Sequence, residues 1–271
     1  MQTIISKDNA KLKAVRALVR SKKERQETSC FVMEGVRALS ALTDGAALPQ
    51  YSLKEAWVSD KVATASLPRF DPDLPIFQIS HEFMEQLSDC HTSQGVLGVV
   101  EYTPVPLEIH PDKGNYLLLD RLMDPGNMGT LIRSAVAFGF DGVLLHGDCV
   151  EVFNPKTVRA TMGALPFSNV WKQAEPAPDS SSNGWKNGDE IFQCLEKLGY
   201  ELVSTVLRGG ENLYEMEFGP KTVLVIGNEA SGISDEILER SSRRISIPMS
   251  GNVESLNAAV AGSICMSALC R

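Results

Sequence analysis

Polar residues placed where an apolar strand ends are the best candidates for chemistry in this chain. In DPGNMGTLIRSAVAFGF (124–140), Asn127, Gly129 and Arg133 follow the apolar run YLLLD. In VLVIGNEASGIS (223–234), Glu229 lies between Gly227 and Gly232. In ISIPMSGNVESLNAAV (245–260), Ser255 and Asn257 follow Pro248. Glycines let a backbone turn and bare its N–H groups, and a helix that starts there favours an anion through those groups and its dipole. Arg133, one helical turn beyond Gly129, is suited to grip a phosphate bidentately. A carboxylate such as Glu229 accepts hydrogen bonds from backbone N–H groups or holds an arginine. Ser255 suits a helix cap. Asn257, inside a helix otherwise made of Ala, Val, Leu and Ile, needs hydrogen-bond partners from the turn or a ligand. Each corner alone also has an ordinary explanation: a surface ion pair, a turn-stabilising acid, a cap. Neither GxxxxGK[ST] nor GxGxxG is present, so no standard nucleotide loop accounts for them.

The elements around these corners alternate. From residue 115 the pattern predicts strand 116–120, helix 127–138, strand 142–146, a helix near 154–162 and strand 167–171. Helix 189–199, strand 201–207, strand 222–227, helix 234–241, strand 244–248 and helix 254–270 follow. Apolar strands alternating with helices predict a parallel sheet covered on both faces, and such sheets bind ligands beyond the carboxyl ends of their strands. The earlier part reads as a small α/β unit: a basic amphipathic helix over 7–25, strands at 31–35, 56–60, 75–80 and 95–102, and helices at 36–42 and 81–89. Residues 103–114 hold three prolines and little periodicity. The predicted organisation is therefore a first domain over 1–103, a linker over 104–114 and a second domain over 115–271. KQAEPAPDSSSNGWKNG (172–188) reads as an exposed loop.

Charge is unevenly spread. The 271 residues carry a net −8, yet residues 1–37 hold nine Lys/Arg against four Asp/Glu, leaving the remainder at −13. A basic segment on an acidic body can mark a polyanion-binding face, or simply a solvated helix. No apolar run approaches the ~20 residues of a membrane span, and the N-terminus lacks a secretory pattern, so a cytoplasmic protein is expected. None of the six cysteines forms a CxxC pair, and no His/Cys cluster has zinc spacing. Cys90 beside His91 comes nearest, and no metal is expected.

Taken together, DPGNMGTLIRSAVAFG, VIGNEASGIS and ISIPMSGNVESLNAAVA resemble, in order and spacing, the three motifs of the SpoU (TrmH-like) RNA ribose 2′-O-methyltransferases. ISKDNAKLKAVRALVRSKKERQETSCFVMEGVRAL and HTSQGVLGVV resemble the substrate-binding domain of one branch of that family. That domain is similar to small ribosomal proteins that bind RNA turns. The resemblance implies an α/β trefoil-knot (SPOUT) domain and a homodimer. It implies methyl transfer from S-adenosylmethionine to a ribose 2′-hydroxyl. The substrate is structured RNA, with ribosomal RNA of the large subunit favoured over transfer RNA. It further implies cofactor contacts at Thr205, Gly227, Ile247, Met249 and Leu256. Arg133, Asn127, Glu229, Ser255 and Asn257 form the catalytic group, and RNA contacts come from Lys11, Lys13, Arg16, Arg37 and Arg133. Arg133 is the base by family likeness, although an arginine stays protonated to a pKa above ~12; clamping a phosphate and stabilising an alkoxide suits it better. Two rival readings stand beside this one: a non-catalytic RNA-binding or assembly factor on the same fold, and an ordinary nucleotide-dependent α/β enzyme.

Overall fold

The computed structural model describes residues 1–88, 93–172 and 188–270. The middle of the loop expected over 172–188, and the Cys90–His91 pair, lie outside the described residues. The chain divides into two compact units. One holds residues 1–104 and 151–167, the other 105–150 and 168–271. This division differs from the domain expected over 115–271 at one segment: the chain leaves the second unit after Val150 and returns at Ser168. Within the first unit, segment 151–167 is held by the ring of Phe153, stacked on Phe31 at 4.6 Å, and by a buried ion pair. Arg25 donates Nε and Nη2 to the two carboxylate oxygens of Glu151 at 2.7 and 2.6 Å, and Nη1 to the Leu18 carbonyl at 2.5 Å.

In the first unit, β1 (Gln2–Thr3), α1 (Ala10–Arg20), α2 (Lys22–Thr28), β2 (Cys30–Glu34), α3 (Val36–Thr43), β3 (Tyr51–Ser59), β4 (Ile76–Ile79), α4 (His81–Leu87) and β5 (Val96–Tyr102) follow in order. They form a mixed five-stranded sheet of order β1-β4-β3-β5-β2. The single basic helix expected over 7–25 is two helices. Ser21 is extended (φ −120°, ψ 115°), and its hydroxyl accepts from Glu24 N at 3.2 Å, capping a new start. Helical spacing places Leu12, Val15 and Leu18 on the sheet with Trp57, Phe77 and Leu97, all buried.

The second unit begins with β6 (Gly114–Asp120), α5 (Pro125–Ala137) and β7 (Gly142–His146). After α6 (Pro155–Ala160), which belongs to the first unit, it continues with β8 (Val170–Lys172), α7 (Gly188–Lys197), β9 (Glu201–Thr205) and β10 (Glu211–Asn212). β11 (Lys221–Ile226), α8 (Asp235–Arg240), β12 (Arg243–Ser246) and α9 (Ala258–Leu269) complete it. All pairings of its seven-stranded sheet, β10-β12-β9-β11-β6-β7-β8, are parallel. The central strands are buried on both faces, as their unbroken apolar runs require. The strand expected at 167–171 starts at Val170, after a 3-10 turn over 165–167. The last helix starts at Ala258 instead of 254 because Asn257 is its N-cap, accepting from Ala259 N and Val260 N at 2.9 and 3.2 Å. The Asn expected inside that helix therefore sits at its exposed start, so burial does not explain it. β7 and β8 run outward from one side of β6, while β11, β9 and β12 lie on the other. That reversal opens a crevice beyond the carboxyl ends of β6 and β11.

Candidate functional site

Next to that crevice, beyond the ends of β9, β11 and β12, lies a cavity of about 310 Å³, at the lower end of the roughly 300–1,000 Å³ range of small-molecule sites. Its walls come from the ends of β9, β11 and β12 and from the start of α9. Thr205, Gly227, Ile247, Met249 and Leu256, the five residues expected at a cofactor, all line it. Glu229, Ser255 and Asn257 line it as well. The Thr205 hydroxyl donates to the Val225 carbonyl at 2.9 Å, which leaves this wall largely apolar. Cys265 adds to that wall; burial pushes its thiol up to about 12, so it stays neutral. Gly227 is needed for the backbone itself. A Cβ there would lie 2.4 Å from Gly232 C and Ile233 N, where the loop folds back on its own strand.

A continuous hydrogen-bonded series joins the three corners. Asn127 Nδ2 donates to Glu229 Oε1 at 3.0 Å, and Asn257 Nδ2 donates to Asn127 Oδ1 at 2.9 Å. Asn257 in turn caps α9. Glu229 also accepts from Asp124 N at 3.1 Å and Met123 N at 3.4 Å. Burial on its own would raise the Glu229 carboxyl; the bonds from Asn127, Asp124 and Met123 outweigh it and hold the group below its ordinary value. Asp124 caps α5 through Asn127 N at 2.8 Å, with Pro125 at the first helical position, where a missing N–H costs nothing. Asn127 therefore faces the neighbouring corners from the first turn of α5, with its side chain buried.

Sequence reasoning missed a second layer. Asp120, at the end of β6, is fully buried and accepts from Ser234 N (2.7 Å), His146 Nδ1 (3.0 Å) and the Arg121 guanidinium (3.3 Å). Burial opposes ionisation of Asp120, yet His146, Ser234 and Arg121 together keep its carboxyl below the ordinary value. Arg121 has a left-handed backbone (φ 53°), uncommon for a long side chain. It reaches the Gly232 carbonyl at 3.4 Å, while Asn228 Nδ2 donates to its own carbonyl at 2.8 Å. These bonds pin loop 228–234 to the end of β6. The available signal was an acid closing an otherwise apolar strand, YLLLD.

Two expected residues do not line the cavity: Asn127 is joined to it only through Glu229 and Asn257, and Arg133 lies apart from it. Arg133 lies on α5 but is exposed, forms no hydrogen bond or ion pair among the described residues, and is absent from the cavity wall. Six residues past Asn127, it is turned roughly 120° away around the helix. Thr130, on the Arg133 side of α5, borders a shallow depression with Tyr214, Val260 and Ile264. In the first unit, Lys11 and Lys13 pair with Glu55 (3.8 Å) and Asp8 (3.0 Å), and Arg16 donates to Gln86 (3.4 Å). Arg37 instead lines a small cleft. Among the described residues no group of three or more His, Cys, Asp or Glu could hold a metal, and no helix is long and apolar enough to cross a membrane.

Comparison with known proteins adds two family matches. The SpoU rRNA Methylase family matches residues 114–267, and the MRM3-like substrate binding domain matches residues 9–98. The chain is 30% identical over 264 residues to a 23S rRNA (guanosine(2553)-2′-O)-methyltransferase of Bacillus subtilis, covering 97% of each. It is 30% identical to a 23S rRNA (uridine(2479)-2′-O)-methyltransferase of Streptomyces viridochromogenes, covering 96% of this chain and 88% of that protein. A crystal structure of an AdoMet-bound rRNA methyltransferase from Sinorhizobium meliloti superposes with a TM-score of 0.81 at 28% identity, covering 99% and 97% of the two chains.

Proposed function

Because the chain belongs to the SpoU rRNA methylase family, we propose that it methylates a ribose 2′-hydroxyl of ribosomal RNA with S-adenosylmethionine as donor. The observation that carries this reading is the Glu229–Asn127–Asn257 series at the rim of a cavity bordered by all five expected cofactor residues. S-adenosylmethionine, when bound there, supplies a methyl group on a sulfonium, already a good leaving group. The cavity suits that ligand. Ile247, Met249 and Leu256 wall its apolar parts, and their backbone groups recognise its polar ones. Glu229, held ionised, places a negative charge beside a cationic ligand. Asn127 orients the ribose, and Ser255 and Asn257 shape the pocket around the accepting oxygen.

Arg133 clamps the phosphate beside the target ribose and stabilises the developing alkoxide, a contribution worth roughly 3–4 kcal/mol when one such donor is removed. Its place outside the cavity of a single chain fits a homodimer. α9 is mostly apolar around its circumference, with Ser263 and Ser267 as its polar residues, a composition that needs burial on more than one side. One side packs on α5, where a Cβ on Gly262 would lie 2.4 Å from Leu131 Cδ2. The other side carries exposed Val260 beside exposed Tyr214. A second copy seated there brings Arg133 to an active site. The trefoil knot belongs to the same reading; its support is that loop 227–234 and segment 247–257 enclose one cavity before α9 packs against α5. The first unit holds the RNA through Lys11, Lys13 and Arg16. Lys11 and Lys13 hold surface ion pairs worth ~0–1 kcal/mol and Arg16 one long hydrogen bond to a neutral amide, partners weak enough for phosphates to displace.

The test is Arg133→Ala. Transfer of labelled methyl to total ribosomal RNA falls at least ~100-fold, while cofactor affinity by calorimetry stays within a few-fold. Near-normal turnover in the variant removes Arg133 from the mechanism, and absence of any heat with S-adenosylmethionine in the unaltered protein removes the enzymatic reading.

A further inference from the structure

We propose that His146 is a positioning residue for methyl transfer: its Nδ1–H aims the Asp120 carboxylate at loop 228–234 and so holds Glu229 at the cavity. The inference rests on the methyl-transfer reading of that cavity and assigns a role to a residue that does not line it.

The first observation is one of register. The neighbouring apolar strands YLLLD and GVLLH each close on one polar residue, and β6 and β7 pair in parallel with Asp120 opposite His146. Paired positions of adjacent parallel strands turn their side chains to the same face, so the two groups stand together at the carboxyl edge of the sheet. Both are buried, and His146 Nδ1 lies 3.0 Å from Asp120 Oδ1. Facing a carboxylate, Nδ1 carries the proton, which fixes the tautomer. The backbone at this point is locked as well, because Arg121 N donates to the His146 carbonyl at 3.0 Å. The imidazole also packs on Phe192 of α7, with ring centroids 5.6 Å apart.

The second observation is how the carboxylate is shared. His146 takes Oδ1, while Oδ2 accepts from Ser234 N at 2.7 Å. Arg121 reaches the same two oxygens only at 3.3–3.4 Å. The two short bonds thus fall on different oxygens, one to β7 and one to the loop. A carboxylate gripped at one oxygen is aimed at the other; without the His146 N–H it is free to turn away from Ser234. From Ser234 the loop runs back through Gly232 and Asn228, whose backbones bond to each other at 2.9 and 3.0 Å. Glu229 follows Asn228 and accepts from Asn127, so His146 is linked to the catalytic series without touching it. A charge effect has the same sign. Burial opposes ionisation of Asp120, and among the groups that offset burial His146 contributes most. The other titratable groups near Asp120 do not replace it. Arg121 is partly exposed and distant, and the Cys149 thiol, pushed up to about 11 by burial, stays neutral.

The experiment compares the full chain with three variants, using calorimetry with S-adenosylmethionine and amide exchange over 228–234, which needs no ligand. His146→Phe keeps an aromatic ring against Phe192 and loses the donor. His146→Asn sets an amide nitrogen where Nδ1 stood and loses the ring. His146→Gln sets it nearer the place of Nε2, and serves as the donor-free arm if His146→Phe does not fold. His146→Phe weakens cofactor binding about tenfold or more, the worth of one hydrogen bond to a charged group, and quickens exchange over 228–234. His146→Asn returns affinity to within about threefold of the parent, although its melting temperature is the lower of the two. From about pH 8 down to about 5.5, affinity falls about threefold or more in His146→Phe and stays level in the parent, because the stranded Asp120 takes up a proton. A purely structural role predicts the reverse order. Affinity that follows ring packing, near-parental in His146→Phe and low in His146→Asn, overturns the inference. Cofactor binding by the parent with unchanged exchange in His146→Phe defeats the inference alone, whereas no binding by the parent defeats the enzymatic reading and the inference with it.

Discussion

Asp120→Ala is the substitution whose consequences can be worked furthest from the structure. The carboxylate is fully buried, so water cannot replace it. Its removal leaves the Ser234 N–H and the His146 ring without their acceptor, and releases the Arg121 guanidinium. An unsatisfied buried partner costs about 1–3 kcal/mol, and breaking a buried charge pair costs about 3–5 kcal/mol. A loss of about 3–5 kcal/mol is therefore expected, below the plain sum because Arg121 is partly exposed and regains water. The loss is local before it is global. Loop 228–234 is tied to β6 through Ser234 N, the Gly232 carbonyl and Asn228, and all three ties run through Asp120 or Arg121. Cofactor affinity should fall along with stability, and amide exchange over 228–234 should quicken more than over β11. Asp120→Asn keeps an acceptor for Ser234 N–H and should recover part of both. Urea unfolding and calorimetry on the three proteins decide the matter. An Asp120→Ala protein within about 0.5 kcal/mol of the parent, with unchanged cofactor affinity, refutes the claim that this carboxylate pins the loop.

Glu151→Gln strands the Arg25 guanidinium and should cost about 3–5 kcal/mol, whereas the pair Arg25→Met with Glu151→Leu should cost far less; chemical unfolding of single and double variants checks this. Gly227→Ala should abolish cofactor binding in calorimetry without unfolding the first unit, because its Cβ meets backbone atoms of residues 232 and 233 that cannot step aside. Asp120 and Glu229 both have folded-state values below their unfolded ones. Their contribution to stability is therefore complete above the unfolded value of about 4 and lost as pH falls through the depressed folded values. Cofactor affinity should accordingly be flat from about pH 5 to 8, and exchange over 228–234 should rise only below about pH 4.

The sequence alone determined whatever depends on local pattern. Unbroken apolar runs such as YLLLD and TVLVIG specify strands buried on both faces, and the glycines and polar residues after them mark corners that meet around a cavity. Motif order carried the family resemblance, and with it five of the residues that line the cavity. The helix break at Ser21 was harder to read, since a serine fits a helix interior until its hydroxyl finds Glu24 N. Only tertiary structure decided which residues meet. Asn127 and Asn257 are 130 positions apart, and no spacing rule joins them. Asp120 looked like the polar end of a strand until the chain brought His146 and Ser234 to it. Residues 151–167 joined the first unit through partners far away in sequence: Glu151 meets the buried Arg25, 126 positions earlier, and Phe153 stacks on Phe31. Periodicity records the face a residue turns toward the core; the identity of its partner is set by long-range packing and by the requirement that buried charges and N–H groups be satisfied.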